Sequence, residues 1–198
     1  MVEIDPKDAF VHVVYEYRCL VRAEYAFREC ARDKTVNVEV PEIGTVARNA
    51  VLSKARSIVD FYTKNPRDTD ITLKEYYSSS LGSTDPRLFN KLETIRASME
   101  VHDIHLTVWR DPQYRADHNS DLREQERQRI DWDKEQARIV DGLLEALKAT
   151  SSSLSAAWEK AFIHLYDTCA VVLRSGGNWA SDLTGPETIV PYLDGLGL

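Results

Sequence analysis

Within the stretch Ile95-Arg96-Ala97-Ser98-Met99-Glu100-Val101-His102-Asp103-Ile104-His105-Leu106-Thr107-Val108-Trp109-Arg110, two histidines, two arginines and two acids fall within four turns of a helix. His102 and His105 are three apart and line one helical face. Two kinds of chemistry fit such a set. His102 and His105 with Glu100 or Asp103 resemble half of a metal site, but a third and fourth ligand in fixed relation is missing. Without a metal, an arginine supplies fixed charge and forked donors to a phosphate, while a histidine titrates near neutral pH and moves a proton. Arg96 and His102 stand six positions apart, about 9 Å of rise and roughly 120° around an ideal helix. A long arginine side chain, a helix irregularity or a second subunit brings both to one phosphate.

Other catalytic signatures are absent from the chain: no GxSxG, no HExxH, no GxGxxG and no glycine-rich phosphate loop. Cys19, Cys30 and Cys169 form no CxxC pair, which excludes a zinc ribbon or thioredoxin-like motif. On one helix, Cys19 and Cys30 would share a face about 16 Å apart, beyond the roughly 7 Å limit of a disulfide. All three read as buried thiols. His12 and His164 sit in apolar helical stretches and read as packing histidines, and His118 as a surface residue.

The elements that must position these residues are helical. The chain has 198 residues, with 43% hydrophobic, 29% charged, 8 Gly and 7 Pro. That is one domain's length, with too few turn formers for a β-sandwich. The spacing predicts main helices over 6–33, 41–64, 86–109, 121–149 and 154–174, and a packed tail over 178–198. Asp5-Pro6 and Asp85-Pro86 are start signals. Phe10, Val13, Val14, Tyr17, Leu20, Val21 and Tyr25 form the first apolar stripe. Ile43, Val46, Ala47, Ala50, Val51, Ala55, Ile58, Val59 and Tyr62 form the second. Leu88, Leu92, Ile95, Met99, His102 and Leu106 form the third, and Ile130, Ile139, Leu143, Leu144 and Leu147 the fourth. Thr35 to Val40 alternates like a strand but has no evident partner strand, and reads as an extended connection. Residues 110–139 hold 7 basic and 8 acidic side chains, a solvated face. Ser175-Gly176-Gly177 is a helix stop, and Trp179, Ile189, Tyr192 and Leu193 are expected to seat the tail. The expected fold is all-α: one domain, 1–198, an antiparallel bundle of about five helices with a long polar connection and a short C-terminal tail.

Net charge is −7 and the pI near 5.3, against broad binding of nucleic acid but not against a local basic pocket. No apolar run approaches the roughly 18 residues of a membrane helix. The opening Met1-Val2-Glu3-Ile4-Asp5 is unlike a signal peptide, so a cytoplasmic protein without membrane partners is expected.

The segment Asn49-Ala50-Val51-Leu52-Ser53-Lys54-Ala55-Arg56-Ser57-Ile58-Val59-Asp60-Phe61-Tyr62 resembles the second-helix signature of HEPN-like proteins, approximately NA-----HARNLIDF. Ile104-His105-Leu106-Thr107, followed by Arg110 and then by Trp132, resembles that family's aHLT--R region and downstream tryptophan. Order and spacing agree over roughly residues 10–150. The resemblance implies an all-α homodimer, of the abortive-infection or toxin kind, and in active members a metal-independent ribonuclease site built on Arg-x4-6-His at the dimer interface. Arg96 with His102 satisfies Arg-x5-His, while the HLT-type histidine is His105, and the x6 position before it, seven residues back, holds Ser98 and not Arg. Lys54 stands in place of the signature's His, Ser57 in place of its Asn, and Ala97 in place of the polar residue that often follows the Arg. The catalytic candidates are therefore Arg96, His102 and His105, with Glu100 and Arg110 for substrate placement, no metal and no cofactor. Arg56 is expected to pair with Asp60 one turn on. The competing expectation is a non-catalytic helical module that dimerises and binds a protein partner, such as an antitoxin or a nucleotidyltransferase.

Overall fold

The computed structural model describes residues 5–32, 42–63, Leu92 and 132–198. These form five helices and no strand: α1 (Pro6–Arg32), α2 (Glu42–Thr63), α3 (Trp132–Ser151), α4 (Ala156–Ser175) and, after a 3-10 turn at Ser181–Leu183, α5 (Pro186–Gly195). The all-α class expected from the periodicity is the class observed. Leu92 of the expected third helix is helical and fully buried, as its place on the third apolar stripe predicts; the rest of that helix, the strand-like run at Thr35 to Val40 and most of the charge-balanced segment lie outside the described residues.

Helix α1 begins as its sequence dictates. The Asp5 carboxylate accepts from the Lys7 amide at 2.9 Å, satisfying one of the orphan N–H groups of the first turn. From there Ala9, Phe10, Val13, Val14, Tyr17, Leu20, Val21, Glu24 and Phe27 keep one face buried over its 27 residues. The lower end of that stripe differs from expectation: Tyr25 is half-buried, and Glu24 and Phe27 take the inward positions. In α2 the inward residues are Val51, Leu52, Ala55, Ile58, Val59, Phe61 and Tyr62. Val46, expected inside, is 63% exposed.

Helix α1 is the hub and packs on each of the other four, most extensively on α2. The core between them is aromatic and aliphatic: Phe10 lies 5.5 Å from Trp158 and 5.3 Å from Phe162, ring centre to ring centre, both in tilted geometry. Among the described residues, a polar junction runs through it. The hydroxyls of Tyr17 and Tyr62 are 2.9 Å apart, and the Tyr17 hydroxyl donates to the Leu143 carbonyl at 3.2 Å, so α1, α2 and α3 meet at one buried point. A buried phenol needs such a partner, because desolvating a hydroxyl without one costs a few kcal/mol.

The break between α3 and α4 falls two residues later than the expected gap between 149 and 154, with α3 ending at Ser151 and α4 starting at Ala156. Thr150, Ser151 and Ser152 turn their hydroxyls back onto the carbonyls of Ala146, Lys148 and Ala149, at 2.7, 2.7 and 3.0 Å, and so satisfy the last turn of α3. At the far end of α4, Gly176 adopts a left-handed conformation (φ 62°) and its amide bonds the Val172 carbonyl. A side chain there would collide with the Tyr25 ring, so glycine both stops α4 and lets α1 approach.

The tail is more ordered than a simple packed strap, since α5 occupies ten of its residues. Pro186 starts it, and the Gly185 amide donates to Thr188 Oγ1 at 3.1 Å. Trp179, Leu183, Ile189 and Leu193 are buried, while Tyr192 is half-buried. Arg18 of α1 clips this segment by donating to the Thr184 carbonyl at 2.6 Å. No described helix is long and apolar enough to cross a membrane.

Candidate functional site

The five residues predicted to carry chemistry, Arg96, Glu100, His102, His105 and Arg110, lie outside the described residues. The described part of the resemblance is the second-helix signature, which α2 carries, and the downstream tryptophan, Trp132, the first residue of α3. Its apolar positions, Val51, Leu52, Ala55, Ile58, Val59 and Phe61, are buried, so they serve the core. Its polar positions, Lys54, Arg56 and Ser57, are on the outer faces. The Arg56–Asp60 ion pair expected from their i,i+4 spacing is not among those made by the described residues. That spacing permits such a pair and does not compel it, because its net value at a surface is a few tenths of a kcal/mol.

The outer face of α2 meets α1 in a cavity of about 180 Å³, lined by His12, Val13, Glu16, Tyr17, Ser57, Ile58 and Phe61. Its floor is apolar and its rim holds an imidazole, a carboxylate and a hydroxyl. His12 is exposed, not the packing histidine its apolar neighbours predict, because it stands one position off the buried stripe of Val13, Val14 and Tyr17. Beside the rim, Lys54 Nζ binds Glu16 Oε1 at 3.1 Å and stands 4.9 Å from the centre of the Tyr15 ring. Partial burial lowers the Lys54 pKa, but the hydrogen bond and charge of Glu16, with Cys19 and Tyr15 adding, outweigh it and hold the amine above its usual value. Lys54 is therefore a fixed cation at neutral pH and not a proton acceptor. The Ser57 hydroxyl leans back to the Ser53 carbonyl at 3.4 Å.

Two further depressions lie on the other side of α1. One, of about 540 Å³, runs between α3 and α4. Arg28, Asp141, Glu145, Asp167 and Arg174 rim it, over Leu144, Ala170 and Leu173. The other, about 250 Å³, is lined by Glu24, Phe27, Arg28, Ala31, Arg32 and Ala137. Beneath it is a polar arrangement that the sequence reading did not single out. Glu24, 1% exposed, accepts from Arg28 Nε at 2.7 Å and from Gln136 Nε2 at 2.5 Å. A signal for it was available: Glu24 interrupts the apolar stripe between Val21 and Phe27, and a charge in that register must be paired.

His164, the second predicted packing histidine, is half-buried and its Nε2 lies 3.0 Å from Asp182 Oδ2, tying α4 to the 3-10 turn. Tyr192 stacks on it at 5.1 Å between ring centres, and burial followed by the charge of Asp182 pushes the Tyr192 phenol above its usual pKa. Cys169 is buried, and burial pushes its thiol up and keeps it protonated, whereas Cys19 and Cys30, expected to be buried too, are half-buried thiols outside any disulfide. No group of three His, Cys, Asp or Glu among the described residues is arranged to hold a metal. Comparison with protein-family models, with curated proteins and with solved structures finds no match for this chain.

Proposed function

We propose that this chain is a HEPN-like, metal-independent endoribonuclease of the toxin or antiphage-defence kind, acting in the cytoplasm as a homodimer. The observation that carries the reading is the Arg96-x5-His102 spacing, downstream of a second helix whose apolar positions match the family signature. The all-helical architecture, with α2 packed along α1, supports it. In this reading His102 takes the proton of a ribose 2′-hydroxyl, and the 2′-oxygen attacks the adjacent phosphorus. The P–O5′ bond then breaks, the 5′-oxygen leaves as a hydroxyl with a proton from solvent, His102 releases its proton to solvent, and a 2′,3′-cyclic phosphate remains. Arg96 stabilises the charge that builds on the pentacovalent phosphate. His105, Glu100 and Arg110 place the substrate.

A second reading is favoured by one observation on α2. Where the family signature has a titratable histidine, this chain has Lys54, engaged with Glu16 as a fixed cation. With Ala97 after the arginine and a net charge of −7, that suits a helical module that binds a protein, such as an antitoxin or a nucleotidyltransferase. Incubating the purified protein, freed of any bound partner, with varied RNAs and matched DNAs in EDTA separates the readings. The enzyme cuts RNA only and leaves cyclic phosphate ends. Absence of cleavage across all RNAs favours the binding module. Loss of cleavage in EDTA, restored by zinc or manganese, assigns His102 and His105 to a metal instead.

A further inference from the structure

We draw no further inference here: the strongest candidate, the cavity of about 250 Å³ beside the buried Glu24–Gln136 pair at the C-terminal end of α1, has nothing in the structure to show what enters it, and the one acceptor left without a partner there among the described residues, Gln136 Oε1, is served by water as well as by any ligand group.

Discussion

Tyr17 and Glu24 stand two turns apart on the same face of α1, both reach α3, and both are almost completely buried, yet they solve the burial of a polar group in opposite ways. Tyr17 brings a neutral hydroxyl into the middle of the bundle, where Tyr62 and the Leu143 carbonyl use its donor and acceptor capacity. Glu24 brings a charge to the end of the bundle. It needs Arg28, whose side chain is one third exposed, and Gln136, whose amide is left with an acceptor that no described residue uses. The first arrangement adds specificity at little cost. The second is sustained by charge and exposes the molecule to larger losses when one member is removed. Of these two groups, the central one is neutral and closed, and the one at the end of the bundle is charged and open.

Removing Glu24 is the most damaging way to break this comparison. Glu24→Ala strands the Gln136 amide and the Arg28 guanidinium and vacates buried volume, which costs about 2–4 kcal/mol. The figure stays below that of a fully buried ion pair because Arg28 is part-solvated. Tyr17→Phe costs less, about 1–2 kcal/mol, since it leaves only the Leu143 carbonyl and the Tyr62 hydroxyl short of a partner. Chemical denaturation of both variants beside the parent checks the order. A Tyr17→Phe loss exceeding that of Glu24→Ala would invert the account of the two sites.

An alkaline titration sharpens the same contrast. Burial first, and then Tyr62, push the Tyr17 phenol well above its usual 10.0, and burial pushes the Cys169 thiol above its usual 9.0. In both cases the unfolded chain releases the proton first, so the folded state binds more protons and stability falls as pH rises. The stabilising contribution is complete below pH 9 and is lost above it, beginning with Cys169 and continuing through the tyrosines. Thermal melts from pH 8 to 11 check the sign, and Cys169→Ala flattens the first part of the decline relative to the parent. The smallest effect is expected at the surface pair on the same helix. Glu29→Gln breaks an ion pair with Arg32 whose side chains are 45% and 74% exposed, and shifts stability by less than about 0.5 kcal/mol.

The legibility of the molecule in its sequence follows the same division. Apolar periodicity is a strong signal over long helices, and it located the buried stripes of α1 and α2, the core residues Ile139, Leu143, Leu144 and Leu147, and the glycine stop after α4. It was weaker at the edges of the stripes. Val46 is exposed, Leu52 is buried though it was not assigned to the core, and Glu24 is turned inward, because a stripe drifts around a helix and only the packing partner fixes its width. Pairwise spacing predicted less still: Arg56 and Asp60 have the separation of an ion pair but do not pair with each other, whereas the Glu16–Lys54 and His164–Asp182 pairs join different helical elements and leave no local signature. Of the candidate site, the α2 signature could be followed into the fold, while Arg96, His102 and His105 lie outside the described residues and rest on sequence spacing alone.

One paired measurement tests the proposed activity most directly. RNA cleavage and thermal melting are recorded together for the parent, Arg96→Ala, His102→Ala and His105→Ala. The account predicts that Arg96→Ala and His102→Ala each abolish cleavage while melting with the parent, since both residues are assigned to the phosphate. His105→Ala is predicted to weaken cleavage less than His102→Ala. Cleavage at the parent's rate by the Arg96 and His102 variants would contradict the account, and a greater loss at His105 would transfer the proton carrier to the HLT histidine.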